Sequence, residues 1–247
     1  MNIYDTWLCT KYIAHRGLHD ENSPENSLSA YKKAIEKDYA IELDVRCLAD
    51  GTVVCFHDER LGRLTGHDGF ISNYTYDDIK DLTLLKSKEH IPTFDEVLKL
   101  VNGQVPLLIE IKNSGKVGFE KYIWKSLSKY KGEYAVQSFN PYSLEWFKIN
   151  APHVKRGQLS SYFKNEDMSF IKKYTLKRMM LNKKVSEPNF ISYNLEDLPN
   201  KYVKKYSNIP LIGWTIRDAE TFIKARKCCD NVIFENVNPE ELESEMI

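Results

Sequence analysis

The chain has 247 residues, 42% of them apolar and 28% charged, proportions that suit a globular protein with a sizeable core and exclude a disordered chain. Lysine plus arginine equals aspartate plus glutamate at 35 each, so there is no global basic field of the kind that draws a protein to nucleic acid or anionic lipid, and an anionic substrate must be met locally. The five cysteines lack the paired spacings of a zinc site or disulfide framework, the first residues lack a secretory pattern and no apolar run could span a bilayer, so reduced thiols, a cytoplasmic location and no stable membrane anchor are expected.

In chain order, residues 11–17 predict a short strand ending in His15 and Arg16. Ser27 opens a helical period through Tyr31, Ala34 and Ile35. Residues 39–48 alternate, with Ile41, Leu43 and Val45 on one face and Glu42, Asp44 and Arg46 on the other. A turn at 49–51 leads into a second apolar run ending at His57 and Asp58. Residues 59–92 are polar and largely aperiodic, an excursion off the scaffold. Beyond them the rhythm is regular: helix 93–103, strand 105–113 with Glu110 and Lys112 on one face, an amphipathic stretch from Val117 to Tyr130, strand 133–140 and helix 142–150. A weak strand at 153–160, a helix at 168–175, a strand at 190–194, a helix at 196–207, a strand at 209–217, a helix at 218–229, a strand at 230–236 and a helix at 238–246 complete the chain.

Strands alternating with helices predict a parallel sheet clothed in helices, and eight such units in this length predict a single (β/α)8 TIM barrel over 1–247 with a small insertion after the second strand. A doubly wound sheet is the lesser alternative, because no strand leads into a glycine-rich phosphate loop. His15, Glu42, Asp44, His57, Glu110 and Gln137 all fall at or near predicted strand ends, where barrels of this kind place their chemistry.

The ordered pairs His15-Arg16, Glu25-Asn26, Glu42-x-Asp44 and His57-Asp58 resemble the signature of the glycerophosphodiester phosphodiesterase family. The likeness continues through the segments at 61–66, 91–98, 108–112, 136–140 and 213–217. It departs at 234–239, where the family shows Thr-Asp-x-Pro and Glu235 is the candidate for the acidic position. The resemblance implies a TIM barrel that binds one divalent metal and hydrolyses glycerophosphodiesters, such as glycerophosphocholine or glycerophosphoethanolamine, to glycerol phosphate and an alcohol.

Glu42 and Asp44 project from one strand face and Glu110 from the next barrel strand, giving three hard oxygen donors that suit Mg²⁺, Ca²⁺ or Mn²⁺. A lone pair of strand carboxylates would more often be ordinary surface charge; three within the family pattern favour a cation, since like charges brought together need one. His15 and His57 are the candidate general acid and base, with the glycerol 2-hydroxyl or a metal-activated water as nucleophile. Arg16 and Lys112 supply positive charge for a phosphate. Glu25 is expected in the first loop beside the phosphate or a histidine. Asn26 and Ser27 are alternative helix caps, and Asp58 either orients His57 or stabilises its turn. Gln137 and Trp214 would line the pocket, Trp214 serving equally well as barrel filler. Residues 59–92 read as a partial lid, or more plainly as a decoration with a satellite core.

Two other functions compete. A lysophospholipase D or another lipid or polymer phosphodiesterase would need an apolar approach, for which the aromatics at 70–76 and 162–170 are weak support. A silent barrel that binds a phosphoryl ligand should have lost one of His15, His57, Glu42, Asp44 or Glu110, and all five are present.

Overall fold

The computed structural model describes residues 2–112, 118–164 and 166–245. Asn113, Val117 and Met246, which the predicted elements include, lie outside the described residues. In chain order the elements are α1 (Trp7–Thr10), β1 (Ile13–Ala14), α2 (Leu28–Glu36), β2 (Ala40–Cys47), β3 (Val53–Cys55), α3 (Gly62–Thr65), α4 (Tyr76–Ile79), α5 (Phe94–Val101), β4 (Leu107–Ile111), α6 (Glu120–Leu127), β5 (Tyr134–Ser138), α7 (Pro141–Asn150), β6 (Lys155–Ser160), α8 (Phe170–Lys177), β7 (Phe190–Asn194), β8 (Leu211–Ile216), α9 (Ala219–Arg226), β9 (Asn231–Phe234) and α10 (Pro239–Ser244). They group into two compact units, Ala14–Tyr134 and Met1–Ile13 with Ala135–Ile247.

In the unit Ala14–Tyr134, β2 is buried along its whole length, so its alternation does not mark a wet face; the face carrying Glu42 and Asp44 is a buried polar one. β2 runs parallel to β4, with Asp44 opposite Glu110. The turn at 49–51 is far too short for a parallel crossover, and β3 accordingly folds back antiparallel on the end of β2, pairing Val45 with Cys55 and Cys47 with Val53. His57 therefore follows a hairpin arm and not a barrel strand. Helix α2 is capped by Ser27, whose hydroxyl accepts from the Ala30 N–H. A reciprocal Thr93–Glu96 box starts α5, and the left-handed Asn102 ends it. Residues 59–92 build a core of their own on the hairpin: Leu61, Leu64, Ile71, Ile79, Leu84 and Ile91 close over Leu48, Val54 and Phe56.

In the other unit β6, β7, β8 and β9 pair in parallel succession, and β5 pairs with β6. Gly157 of β6 lies under Phe190, whose ring would stand 2.1 Å from any Cβ there; glycine is what lets the ring fill that layer. The predicted helix at 196–207 does not form. Its sequence makes two 3-10 turns, Leu195–Asp197 and Val203–Tyr206, because Pro199 donates no N–H and holds Leu198 extended at φ −102°, ψ 150°.

The strand order is β1-β9-β8-β7-β6-β5-β4-β2-β3, with β1 also pairing with β2. Setting aside the hairpin arm β3, eight strands return upon themselves, the arrangement of a (β/α)8 TIM barrel and the fold class expected from the sequence.

Candidate active site

The site grows from three places in the unit Ala14–Tyr134: the end of β1, the polar face of β2 and the end of β4. Glu42, Asp44 and Glu110 each bring a carboxylate oxygen within 4.8 Å of the other two, and all three residues are buried. The cause is the register: Glu42 and Asp44 are two apart on one strand, and parallel pairing puts Glu110 beside Asp44.

Buried anions must be paired or neutralised, and two cations stand among these. Lys112 Nζ lies 2.6 Å from Glu110 Oε1 and 3.0 Å from Asp44 Oδ1, while Arg16 Nε lies 3.4 Å from Asp44 Oδ2. Arg16 shares its guanidinium with Glu25, at 2.7 Å. Three carboxylates against Lys112 and Arg16 leave one negative charge over. Burial, then the charges of Asp44 and Glu110, push Glu42 well above the usual carboxylate range. Burial also pushes Asp44 upward, but Lys112, His57, Arg16 and a hydrogen bond from Asn26 outweigh it and hold that carboxyl far below its ordinary value. Such a trio takes up a cation or a proton. Three oxygen donors and no thiolate match a hard divalent ion.

The loop after β1 is built for this purpose. Arg16 is left-handed at φ 57°, an uncommon state for a side chain of its size, and its N–H thereby donates to Glu42 Oε2 at 3.1 Å. Gly17 is left-handed as well, at φ 81°, and a Cβ there would stand 2.9 Å from the Ala30 carbonyl carbon. Only glycine fits without moving α2. Asn26, also at φ 57°, is not a helix cap, since Ser27 holds that place. Its amide nitrogen donates to Asp44 Oδ2 at 2.8 Å, its oxygen accepts from the Asp44 N–H at 3.2 Å, and the buried Tyr31 hydroxyl donates to the same oxygen at 2.8 Å.

His57 Nδ1 stands 2.7 Å from Asp58 Oδ1. Burial would raise Asp58, but its bonds to His57 and Arg63 hold it well below the usual range, so the carboxylate accepts and Nδ1 is the protonated nitrogen. Arg46 donates from Nε and Nη2 to the His57 carbonyl at 2.9 and 2.6 Å. Arg63, from α3 of the insertion, donates to Asp58 Oδ2 at 2.5 Å and to both Glu25 oxygens at 2.7 and 2.8 Å. An unbroken chain of polar contacts therefore links His57 through Asp58, Arg63, Glu25 and Arg16 to Asp44.

Of the residues singled out in the sequence, Arg16, Glu25, Glu42, Asp44, Glu110 and Lys112 are joined by direct contacts. His57 lies near enough for its charge to lower Asp44, and His15 directly precedes Arg16. Gln137 and Trp214 belong to the other unit. Gln137 is buried and its Oε1 accepts from the Ser192 hydroxyl at 2.8 Å. Trp214 stands edge-on to Phe139 with centroids 5.8 Å apart, and its indole N–H is buried without a partner among the described residues. Glu235 receives Arg217 Nε at 2.5 Å. Sequence reasoning missed Arg46, the positioning role of Asn26, and Arg63, although Arg63 sits inside a segment that carried the family likeness.

The fold is a TIM barrel, and the acidic cluster at its strand ends, with Lys112 and Arg16 beside it, could hold a metal ion. The profile of the Glycerophosphoryl diester phosphodiesterase family matches residues 15–238, and the chain belongs to that family. A glycerophosphodiester phosphodiesterase of Caldanaerobacter subterraneus subsp. tengcongensis is 42% identical over 163 residues; the match covers 61% of this chain and 66% of that protein, so the chain spans just under two thirds of that relative's length. One from Bacillus subtilis is 31% identical over 172 residues, covering 60% of this chain and 58% of the relative. The structure of an Oleispira antarctica phosphodiesterase in complex with the product sn-glycerol-3-phosphate is similar with a TM-score of 0.78 at 23% identity, covering 96% of both chains. A glycerophosphodiester phosphodiesterase from Thermotoga maritima gives 0.68 at 28% identity, covering 95% of this chain and 96% of that one.

Proposed function

We propose that the protein is a metal-dependent phosphodiesterase that hydrolyses glycerophosphodiesters, glycerophosphocholine and glycerophosphoethanolamine among them, to glycerol 3-phosphate and an alcohol. The observation that carries this reading is the trio of buried carboxylates, with one charge to spare, bracketed by Lys112 and Arg16. Glu42, Asp44 and Glu110 would hold one divalent ion, Mg²⁺, Ca²⁺ or Mn²⁺. When bound, that ion supplies positive charge to a nonbridging phosphate oxygen.

Arg16 and Lys112 oppose the rest of the phosphate charge, the arginine by its planar fork and the lysine as a point charge. Glu25 holds the Arg16 fork in position. Cleaving the diester takes one proton from the nucleophile and gives one to the departing alkoxide, and His15 and His57 divide these tasks. With Nδ1 of His57 tied to Asp58, Nε2 is the nitrogen that exchanges a proton with the reactants. Residues 59–92 form a partial lid anchored by Arg63, the whole chain being one catalytic domain.

The test is a panel of glycerophosphodiesters assayed with Mg²⁺, Ca²⁺, Mn²⁺ and a chelator, followed by release of glycerol 3-phosphate. Turnover that survives complete chelation, or a Glu110→Ala protein that binds metal as well as the parent, would exclude the mechanism.

A further inference from the structure

The even charge balance of the whole chain hides a strong local imbalance. Between Met168 and Lys184 lie Lys172, Lys173, Lys177, Arg178, Lys183 and Lys184, and no acidic residue. None of the five lysines has an acidic partner among the described residues. The helix at the head of this run, α8, has no fully buried residue, whereas α7 buries four and α9 two. One side of it is only part-buried, at Thr175 and Leu176, and its Leu176 and Lys177 carbonyls accept from the Ser160 and Tyr193 hydroxyls, while the large apolar side chains at its start are left in water. Phe170 is 78% exposed and Ile171 77%. Phe170 stacks on Tyr174 one turn along, with centroids 6.1 Å apart, and the Arg178 guanidinium lies 4.5 Å over the Tyr174 ring. Met180 is a further exposed apolar residue just past the helix. The acidic Glu166 and Asp167 lie ahead of the helix, outside the run.

Bulky apolar side chains ringed by unpaired lysines match the boundary between headgroups and acyl chains, where the apolar groups enter and the long lysine stems reach back to lipid phosphates. We propose that α8 and the residues following it, to Lys184, form a reversible docking surface for bilayers rich in anionic phospholipid. This goes beyond the proposed hydrolytic site and does not depend on it. Eight residues cannot cross a bilayer, so the attachment is peripheral and governed by lipid charge and salt.

The full chain is sedimented with vesicles of phosphatidylcholine alone and of phosphatidylcholine mixed equally with phosphatidylglycerol. Binding to the mixed vesicles, little to the neutral ones, and release at about 1 M salt, where screening acts within about 3 Å, is the expected pattern. At low salt a Phe170→Ser/Ile171→Ser protein should lose an order of magnitude in bound fraction, and a Lys172→Gln/Lys173→Gln/Lys177→Gln protein should bind more weakly than the parent and with a shallower dependence on salt. Both variants should keep the parent's thermal unfolding midpoint and its hydrolysis of water-soluble glycerophosphocholine, which separates loss of docking from loss of fold or of the catalytic reading. A parent that ignores anionic vesicles, or a serine variant that binds them like the parent, overturns the proposal. So does binding of heparin with vesicles ignored, which would assign the basic run to a soluble polyanion.

Discussion

Asn26 and Gly17 carry structural tasks that can be separated from chemistry. Asn26→Ala removes a donor and an acceptor from buried Asp44 and takes away the amide oxygen to which the Tyr31 hydroxyl donates, at a cost of about 1–3 kcal/mol for each orphaned group. The expected outcome is weaker metal binding by titration calorimetry together with a lower thermal midpoint. Gly17→Ala meets both a left-handed backbone, about 1–2 kcal/mol, and the Ala30 carbonyl carbon at 2.9 Å. It should destabilise more than Gly66→Ala, where φ is also positive but nothing lies within 4 Å; equal losses of stability would show that α2 yields freely. His57→Ala should lower kcat by roughly 10²–10⁴. Asp58→Asn should fall between parent and His57→Ala, because the imidazole persists but its tautomer is no longer imposed.

At the scale of elements, the insertion reaches into the site through one side chain. Arg63→Lys cannot reproduce three N–H contacts to two carboxylates, and a loss of roughly 10–100-fold in activity is expected, the range typical of groups that orient catalytic side chains. A lid role predicts that cleavage by protease near Gly66 to Gly69 slows when a substrate analogue is present; identical rates would make 59–92 a fixed decoration. Legibility also divides by element. The positions of Glu42, Asp44 and Glu110 could be read in advance because strand alternation and parallel register are both periodic. Asn26 could not: its role comes from a left-handed turn that aims its amide at Asp44 from a residue 18 positions away, and the adjacent Ser27 offers the same capping chemistry. Arg46 looked like a third member of the polar face, yet it turns to a carbonyl on the returning hairpin arm. The helix expected at 196–207 fell to Pro199, a signal present in the sequence.

For the whole molecule, the uncompensated charge of the carboxylate trio ties stability to pH and cation together. Glu42 is held well above its ordinary value in the folded chain, so folding takes up a proton in the window that begins near the unfolded value of about 4.3 and ends at the raised one. Across it the unfolded state binds fewer protons than the folded state, and stability falls as pH rises. A chelated sample should lose thermal midpoint from acid toward neutral pH, and Mg²⁺, Ca²⁺ or Mn²⁺ should restore it with release of protons. Asp58 has the opposite sign, since its depressed value stabilises above the ordinary carboxylate range and the gain is lost only in stronger acid. The pairing of Asp44 with Glu110 also bears on the order of assembly. These residues are far apart in the chain, and pairing β2 with β4 brings two anions together with Lys112, just past the end of β4, in contact with both. If that strand pairing belongs to the folding nucleus, added Ca²⁺ will speed refolding; if it closes late, Ca²⁺ will leave the refolding limb unchanged and slow only unfolding. A chevron recorded with and without the ion would thus time the closure of this strand pair, making a cation held by the trio a clock for the birth of the barrel.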